Sequence, residues 1–224
     1  MTKKYNSVLI IGMGLIGSSI SRALVESHVA NSVYGLDSDD KIIKKCHDLN
    51  LLVQGETNLK NFDLQFDLII ICTPLSAYKN IFSSLSDFIS QPTLITDVGS
   101  TKMSTIIDFK KAVTNNNITF VPSHPIAGLE KSGPEYGFSK LFDNRYCILT
   151  PYEKNDAATS SITEMWKSIG MTVELMEADR HDRVLAMTSH IPQLIAFSVV
   201  GTATELESHM PVSYTHLTLP TKVE

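Results

Sequence analysis

Disulfides, basic runs and long apolar stretches are all missing from this sequence, and each absence narrows the reading. Cysteine occurs only at Cys46, Cys72 and Cys147, with no close metal-type spacing. An odd, unpaired count reads as reduced thiols used as small apolar core residues, and no metal site is expected. No Lys/Arg-rich run appears, and the net charge is −5 with a pI near 5.8. That disfavours nucleic acid or a membrane surface as partner. The uninterrupted apolar runs, "VLII" and "LIIIC", are strand-length, short of the roughly 20 residues of a membrane span. The N-terminus "MTKKYNSVLIIG" enters a strand pattern without an apolar leader or small-residue cleavage site. No signal peptide is therefore expected, and the expected location is the cytoplasm.

What is present is an alternation. "SVLIIG", "SVYGLD", "DLIIICTP" and "TLITDVGS" read as strands. The stretches after them, "LIGSSISRALVESH", "DDKIIKKCHDLN", 76–89 and 102–113, carry helical spacing. "ITFVPSHP" and "YCILTP" read as further strands. This order implies an α/β fold, a Rossmann-type doubly wound parallel sheet with right-handed crossovers. After a helix over 156–170 and a short strand "MTVELM", the pattern turns wholly helical, and Pro192 should kink or open that helix by removing a donor to Thr188. Residues 1–176 are thus read as the sheet domain. Residues 177–210 are read as the first helix of a truncated all-α domain, since one helix cannot bury its apolar face alone. In the tail 211–224, "VSYTHL" resembles a translated sequencing-library adapter, so the tail is expected to be non-native.

"GMGLIG" sets Gly12, Gly14 and Gly17 in G-x-G-x-x-G order between a strand and a helix, the context that gives this pattern meaning. The first glycine permits a tight turn, the second admits a pyrophosphate, and the third lets helix and strand pack closely. With Leu15 and Ile16 they open a helix N-terminus, which favours an anion. Asp37 ends the next strand, 20 residues after Gly17. A carboxylate there suits the hydroxyls of an adenine ribose and repels a 2′-phosphate, so NAD is expected over NADP. Thr73 and Pro74 in "CTP", and Ser100 in "DVGSTK", end neighbouring strands on the same crevice. Ser100 is also expected to cap the following helix.

His124, in "SHPIAGLEKSGP", follows "ITFVP" and should project from a strand end toward that crevice, with Ser100 able to fix its tautomer. A cofactor site with an adjacent imidazole and hydroxyl forms a dehydrogenase set, the imidazole taking a hydroxyl proton as hydride leaves the same carbon. Lys102 and Lys131 are candidate anion contacts, with solvated lysine the favoured reading of each, and Arg145 reads as structural.

"GMGLIGSS", "ICTP", "DVGSTK", "HPIAGLEKSGPE", "FDNRYCILTP" and "HDRVLAMTSHIPQLIAF" occur in order, and over about residues 6–205 the chain resembles the prephenate and cyclohexadienyl (arogenate) dehydrogenases of tyrosine biosynthesis. The resemblance implies NAD-dependent oxidative decarboxylation of prephenate to 4-hydroxyphenylpyruvate, or of arogenate to tyrosine. It implies that His124 polarises the ring hydroxyl, that Ser100 supports His124, and that Glu130 stands at the mouth of the site. It adds His190 and Gln193 as substrate contacts and a homodimer for the full-length enzyme. Leu129 replaces a threonine of many members, and Gln193 a histidine of some. The family's carboxylate-binding arginine lies downstream, and Arg22, Arg145, Arg180 and Arg183, the four arginines here, do not replace it. Two other readings are a dehydrogenase of the β-hydroxyacid or imine reductase type, which would centre on lysine, and an NAD-binding fragment without turnover.

Overall fold

The computed structural model describes residues 5–209; the adapter-like tail lies outside the described residues. The strands are β1 (Tyr5–Ile11), β2 (Ala30–Leu36), β3 (Gln54–Glu56), β4 (Leu68–Ile71), β5 (Thr93–Asp97), β6 (Ile118–Phe120), β7 (Ser123–Pro125), β8 (Tyr146–Leu149) and β9 (Thr172–Leu175). The helices are α1 (Leu15–Glu26), α2 (Asp40–Asp48), α3 (Tyr78–Phe88), α4 (Met103–Ala112), α5 (Asp156–Ser168), α6 (Ala178–Leu185) and α7 (Ile191–His209).

Six strands form one parallel sheet in the order β3-β2-β1-β4-β5-β6. The order reverses between β1 and β4, and the Rossmann-type reading holds. Strands β1 and β4 are continuous apolar runs because both faces are covered. Strand alternation then sorts their side chains. Val8, Ile10, Leu68 and Ile70 join the core that holds Ile20 and Leu24 of α1 and Trp166 of α5. Leu9, Ile11, Ile69 and Ile71 join the opposite core, which holds Phe82 of α3, Phe109 of α4 and Phe120. Each layer thus takes every second residue of the same strands.

The stretch expected as one strand, "ITFVPSHP", is two. Val121 still donates to the Ile95 carbonyl, continuing the β5 ladder. Pro122 follows and has no N–H. At Ser123 the ladder is taken over by side chains: Ser123 Oγ donates to the Asp97 carbonyl (2.5 Å), and the Ser123 N–H turns to Asp97 Oδ1 (3.0 Å). The chain leaves the main sheet there and starts a second one, β7-β8-β9, in which β7 is antiparallel and β9 parallel to β8. His124 therefore sits mid-strand in β7, paired with Ile148, rather than at the end of a main-sheet strand.

The compact unit containing both sheets runs through Asp182, and a second begins at Arg183. Within the second, the opening expected before Pro192 takes the form of a π-helical turn, Ala186–His190, ahead of α7. Ile191, Leu194, Ile195, Phe197 and Val199 of α7 are exposed. By length and mean hydropathy (1.2), Ala178–Val200 could cross a membrane, a test that core helices of soluble proteins also pass. Polar residues interrupt its apolar ones, so no unbroken apolar run in the sequence marks this stretch.

Candidate functional site

The glycine loop shows a separate reason for each glycine. Gly12 has φ +94°, and a Cβ on it would lie 2.8 Å from the Cys72 backbone. A Cβ on Gly17 would lie 2.1 Å from the Gly12 carbonyl oxygen, so the helix touches the loop that precedes it. A Cβ on Gly14 would meet nothing within 4 Å: that side faces open space. Gly14 is also the N-cap of α1, whose first turn carries no acidic residue. An anion is favoured at such an end by the unpaired amides and the helix dipole.

This opening belongs to a cavity of about 430 Å³ lined by Gly12, Gly14, Asp37, Thr73, Pro74 and Ala77, among others. A hollow of about 650 Å³ adjoins it, sharing Ile11, Leu36, Thr57 and Ile81. Asp37 lines the smaller of the two. Its Oδ2 accepts the Met13 N–H (2.8 Å) and its Oδ1 the Asp39 N–H (3.0 Å), which ties the carboxylate to the glycine loop. A carboxylate held by two amides still has lone pairs for further donors. Thr73 lines the same cavity, and its Oγ1 is buried without a hydrogen-bond partner among the described residues. An orphaned hydroxyl, an open glycine and a placed carboxylate fit the phosphates and ribose of a dinucleotide.

A polar cluster lies at the carboxyl end of β5, beside β4 through the Ile71–Asp97 pair. Asp97 Oδ2 accepts from Lys102 Nζ (2.7 Å), Tyr78 Oη (3.1 Å) and the Gly99 N–H (2.9 Å). Lys102 Nζ also donates to the Ser123 carbonyl (2.6 Å), and Trp166 Nε1 donates to Ser123 Oγ (3.1 Å). Lys102 and Asp97 are wholly buried. Burial pulls the Lys102 ammonium below its ordinary range, and the Asp97 charge opposes that shift. Burial and the same charge push the Tyr78 phenol up, so it remains a donor. The lysine expected in solvent is thus the centre of a buried network that grips Ser123 by its amide, hydroxyl and carbonyl.

His124, the next residue, is half-buried. Its Nδ1 lies 2.9 Å from Nε2 of the fully buried His181, and the His181 Nδ1 lies 2.8 Å from Asp182 Oδ1. Asp182 in turn accepts the amides of Lys102 (2.8 Å) and Met103 (2.9 Å), and so caps α4. The cap expected of Ser100 is made by Asp182, 80 residues beyond Lys102. Among the described residues no hydrogen bond joins Ser100 to His124; the ring's Nδ1 faces His181 instead. Burial alone would raise the Asp182 carboxyl, but the two amides and the His181 ring outweigh it and hold it low. Burial holds the His181 imidazole below its ordinary range.

Of the remaining expected residues, Leu15 is buried and Ile16 partly buried at the start of α1, and Glu130 is exposed on the loop after His124. Gln193 belongs to the second unit, and the side chain of His190 lies outside those described. Lys131 is exposed, its Nζ 4.9 Å from the centre of the Tyr136 ring. Taken singly, His181, Asp182, Asp97 and Ser123 carry no mark in the sequence, and Lys102 was expected in solvent. The one local signal was the adjacent His-Asp pair in "HDRV", whose partners are far away in the chain.

Residues 20–175 match the family profile described as prephenate dehydrogenase, nucleotide-binding domain. Over 211 residues the chain is 34% identical to the cyclohexadienyl dehydrogenase of Zymomonas mobilis, covering 93% of this chain and 71% of that protein. It is 30% identical over 214 residues to the prephenate dehydrogenase of Bacillus subtilis, covering 95% of this chain and 57% of that one. The Aquifex aeolicus prephenate dehydrogenase, solved in complex with hydroxyphenyl propionate and NAD+, superposes with a TM-score of 0.82 at 32% identity, over 96% of this chain and 71% of that one. Synechocystis arogenate dehydrogenase shares the fold, with a TM-score of 0.76 at 21% identity over 93% of this chain and 76% of that one.

Proposed function

The chain belongs to the prephenate dehydrogenase family, and from that premise we propose that it binds NAD and serves the oxidative decarboxylation of prephenate to 4-hydroxyphenylpyruvate. The observation that carries this reading is the match over 96% of the chain to a structure solved with NAD+ and hydroxyphenyl propionate. The fit of the glycine loop, Asp37 and Thr73 to a dinucleotide supports it from this chain's own residues.

Gly14 and the start of α1 hold the pyrophosphate, and Asp37 accepts from the ribose hydroxyls and repels a 2′-phosphate. When bound, NAD+ supplies a hydride acceptor. His124 takes the hydrogen bond of the carbinol hydroxyl and draws its proton as hydride leaves that carbon. The bond from the ring to its carboxylate then breaks, CO2 departs, the electron pair completes the aromatic ring and passes to the oxygen, and the proton held by His124 returns there to give the phenol. Aromatisation drives the step, so the protein's share is positioning and proton acceptance. Ser100, Glu130, His190 and Gln193 are proposed substrate contacts, arogenate is the alternative substrate, and a cytoplasmic homodimer is the expected full-length form.

The lysine-centred chemistry of the alternative dehydrogenases finds no support. Lys102 is buried and spends its donors on Asp97 and Ser123. The test supplies NAD+ with prephenate or arogenate and follows NADH, with NAD+ titrated separately by calorimetry. Formation with either substrate, abolished by His124→Asn without loss of NAD+ affinity, is expected. NAD+ binding with turnover of neither substrate would overturn the substrate assignment alone.

A further inference from the structure

The Asp182–His181–His124 chain of hydrogen bonds has a direction, and the direction decides which nitrogen of His124 can act as a base. Asp182 is fixed as an acceptor. Its two oxygens take the amides of Lys102 and Met103 at 2.8 and 2.9 Å, and amides only donate. The His181 nitrogen facing it, Nδ1 at 2.8 Å, therefore carries a proton. His181 is fully buried, and that burial, with the Lys102 charge, outweighs the opposing pull of Asp182 and Asp97, so a second proton on that ring is disfavoured. Its Nε2 is then a lone pair. The nitrogen across from it, His124 Nδ1 at 2.9 Å, has to be the donor.

We infer that His181, oriented by Asp182, is a positioning residue that holds His124 in the Nδ1–H tautomer and so leaves the lone pair on Nε2. The inference rests on the proposed function only in what Nε2 is used for; the tautomer itself follows from the geometry. A free neutral imidazole prefers its proton on Nε2, so the protein works against the intrinsic preference. The arrangement has the logic of a carboxylate–imidazole pair that sets a catalytic tautomer, with a second imidazole inserted between carboxylate and base. When Nε2 of His124 takes a proton, both of its nitrogens become donors. The Nδ1 bond to His181 persists, and the new positive charge is met through the neutral His181 ring by Asp182. No proton has to move along the chain.

The experiment reads the tautomer directly, by long-range proton–nitrogen NMR correlations of the imidazole rings of the 224-residue chain above the titration range of histidine. The His124 signals are identified by their loss in His124→Asn. The expected wild-type spectrum shows His124 protonated at Nδ1 and bare at Nε2. His181→Phe, which keeps a ring but removes the acceptor, should move the proton to Nε2. His181→Gln, whose amide oxygen can accept in the same place, should keep it on Nδ1. A wild-type His124 protonated at Nε2, or a His181→Phe spectrum unchanged from wild type, overturns the assignment, and the wild-type measurement needs no variant to fold. In the active enzyme His181→Phe should lower kcat by roughly 10²-fold, the scale of general base catalysis. KM for NAD+ should stay put, and His181→Gln should recover much of the loss; equal kcat losses in the two variants overturn the positioning role. If the wild type itself oxidises neither prephenate nor arogenate, the proposed function falls, while the spectra still decide the tautomer.

Discussion

Lys102 Nζ lies 2.7 Å from Asp97 Oδ2, with neither side chain exposing any surface. Taking two charges out of water costs several kcal/mol each, and good geometry has to recover it. Here the Ser123 carbonyl, the Tyr78 hydroxyl and the Gly99 amide share the task. Lys102→Met leaves the Asp97 carboxylate buried without its counter-charge and should cost about 3–5 kcal/mol. Asp97→Asn combined with Lys102→Met should be more stable than Lys102→Met alone. Urea unfolding of the three proteins checks both statements.

Gly14 and Gly17 should separate binding from folding. Gly14→Ala places a methyl in open space, so the melting temperature should hardly change. NAD+ affinity should fall by at least about tenfold, or roughly 1.4 kcal/mol. Gly17→Ala drives a methyl into the Gly12 carbonyl at 2.1 Å and should lower stability by about 1–3 kcal/mol before any ligand is added. Thermal melts with and without NAD+ make the comparison.

Asp37→Ala should weaken NAD+ and narrow the gap between NAD+ and NADP+. The carboxylate also anchors the Met13 and Asp39 amides, so some of the loss will come from a looser loop. Loop loosening affects both cofactors alike, whereas repulsion of the 2′-phosphate affects only one. The ratio of the two dissociation constants is therefore the quantity to measure, and it should shift by at least about tenfold toward NADP+.

His181 gives stability a pH dependence of defined sign. Its folded-state imidazole sits below the ordinary value of 6.5 because burial disfavours the cation. The unfolded chain thus binds a proton more readily than the folded one. The stability contribution is complete above pH 6.5 and is lost as pH falls from there through the folded value. Asp182, also held low, acts the same way in the carboxylate range, starting from its ordinary 3.8. Melting temperatures across the mildly acidic range should fall more steeply in wild type than in His181→Gln, which has no ring to protonate. A wild type that gains stability on acidification would contradict this.

The sheet and the glycine crevice were legible in the sequence because their signals are local. A buried parallel strand shows as a continuous apolar run, and G-x-G-x-x-G carries its turn chemistry within six residues. The relay behind His124 was not legible, because it joins residues 57 apart, and nothing in "SHP" reveals that "HDRV" will return to it. Lys102 was misread for a related reason: lysine is ordinarily solvated, and its buried partner Asp97 became visible only once the strand end was placed. Ser100 was assigned the helix cap by proximity, whereas Asp182 reaches the α4 amides from a distant part of the chain.

The alternation along β1 and β4 has a consequence for how this protein can vary. Even-numbered positions, Val8, Ile10, Leu68 and Ile70, share one core, and odd-numbered ones, Leu9, Ile11, Ile69 and Ile71, share the other. Side chains that touch are coupled, while separated ones combine additively. Substitutions of equal parity in these strands are therefore epistatic, those of opposite parity are nearly independent, and the two layers can drift apart in sequence while the sheet between them stays fixed.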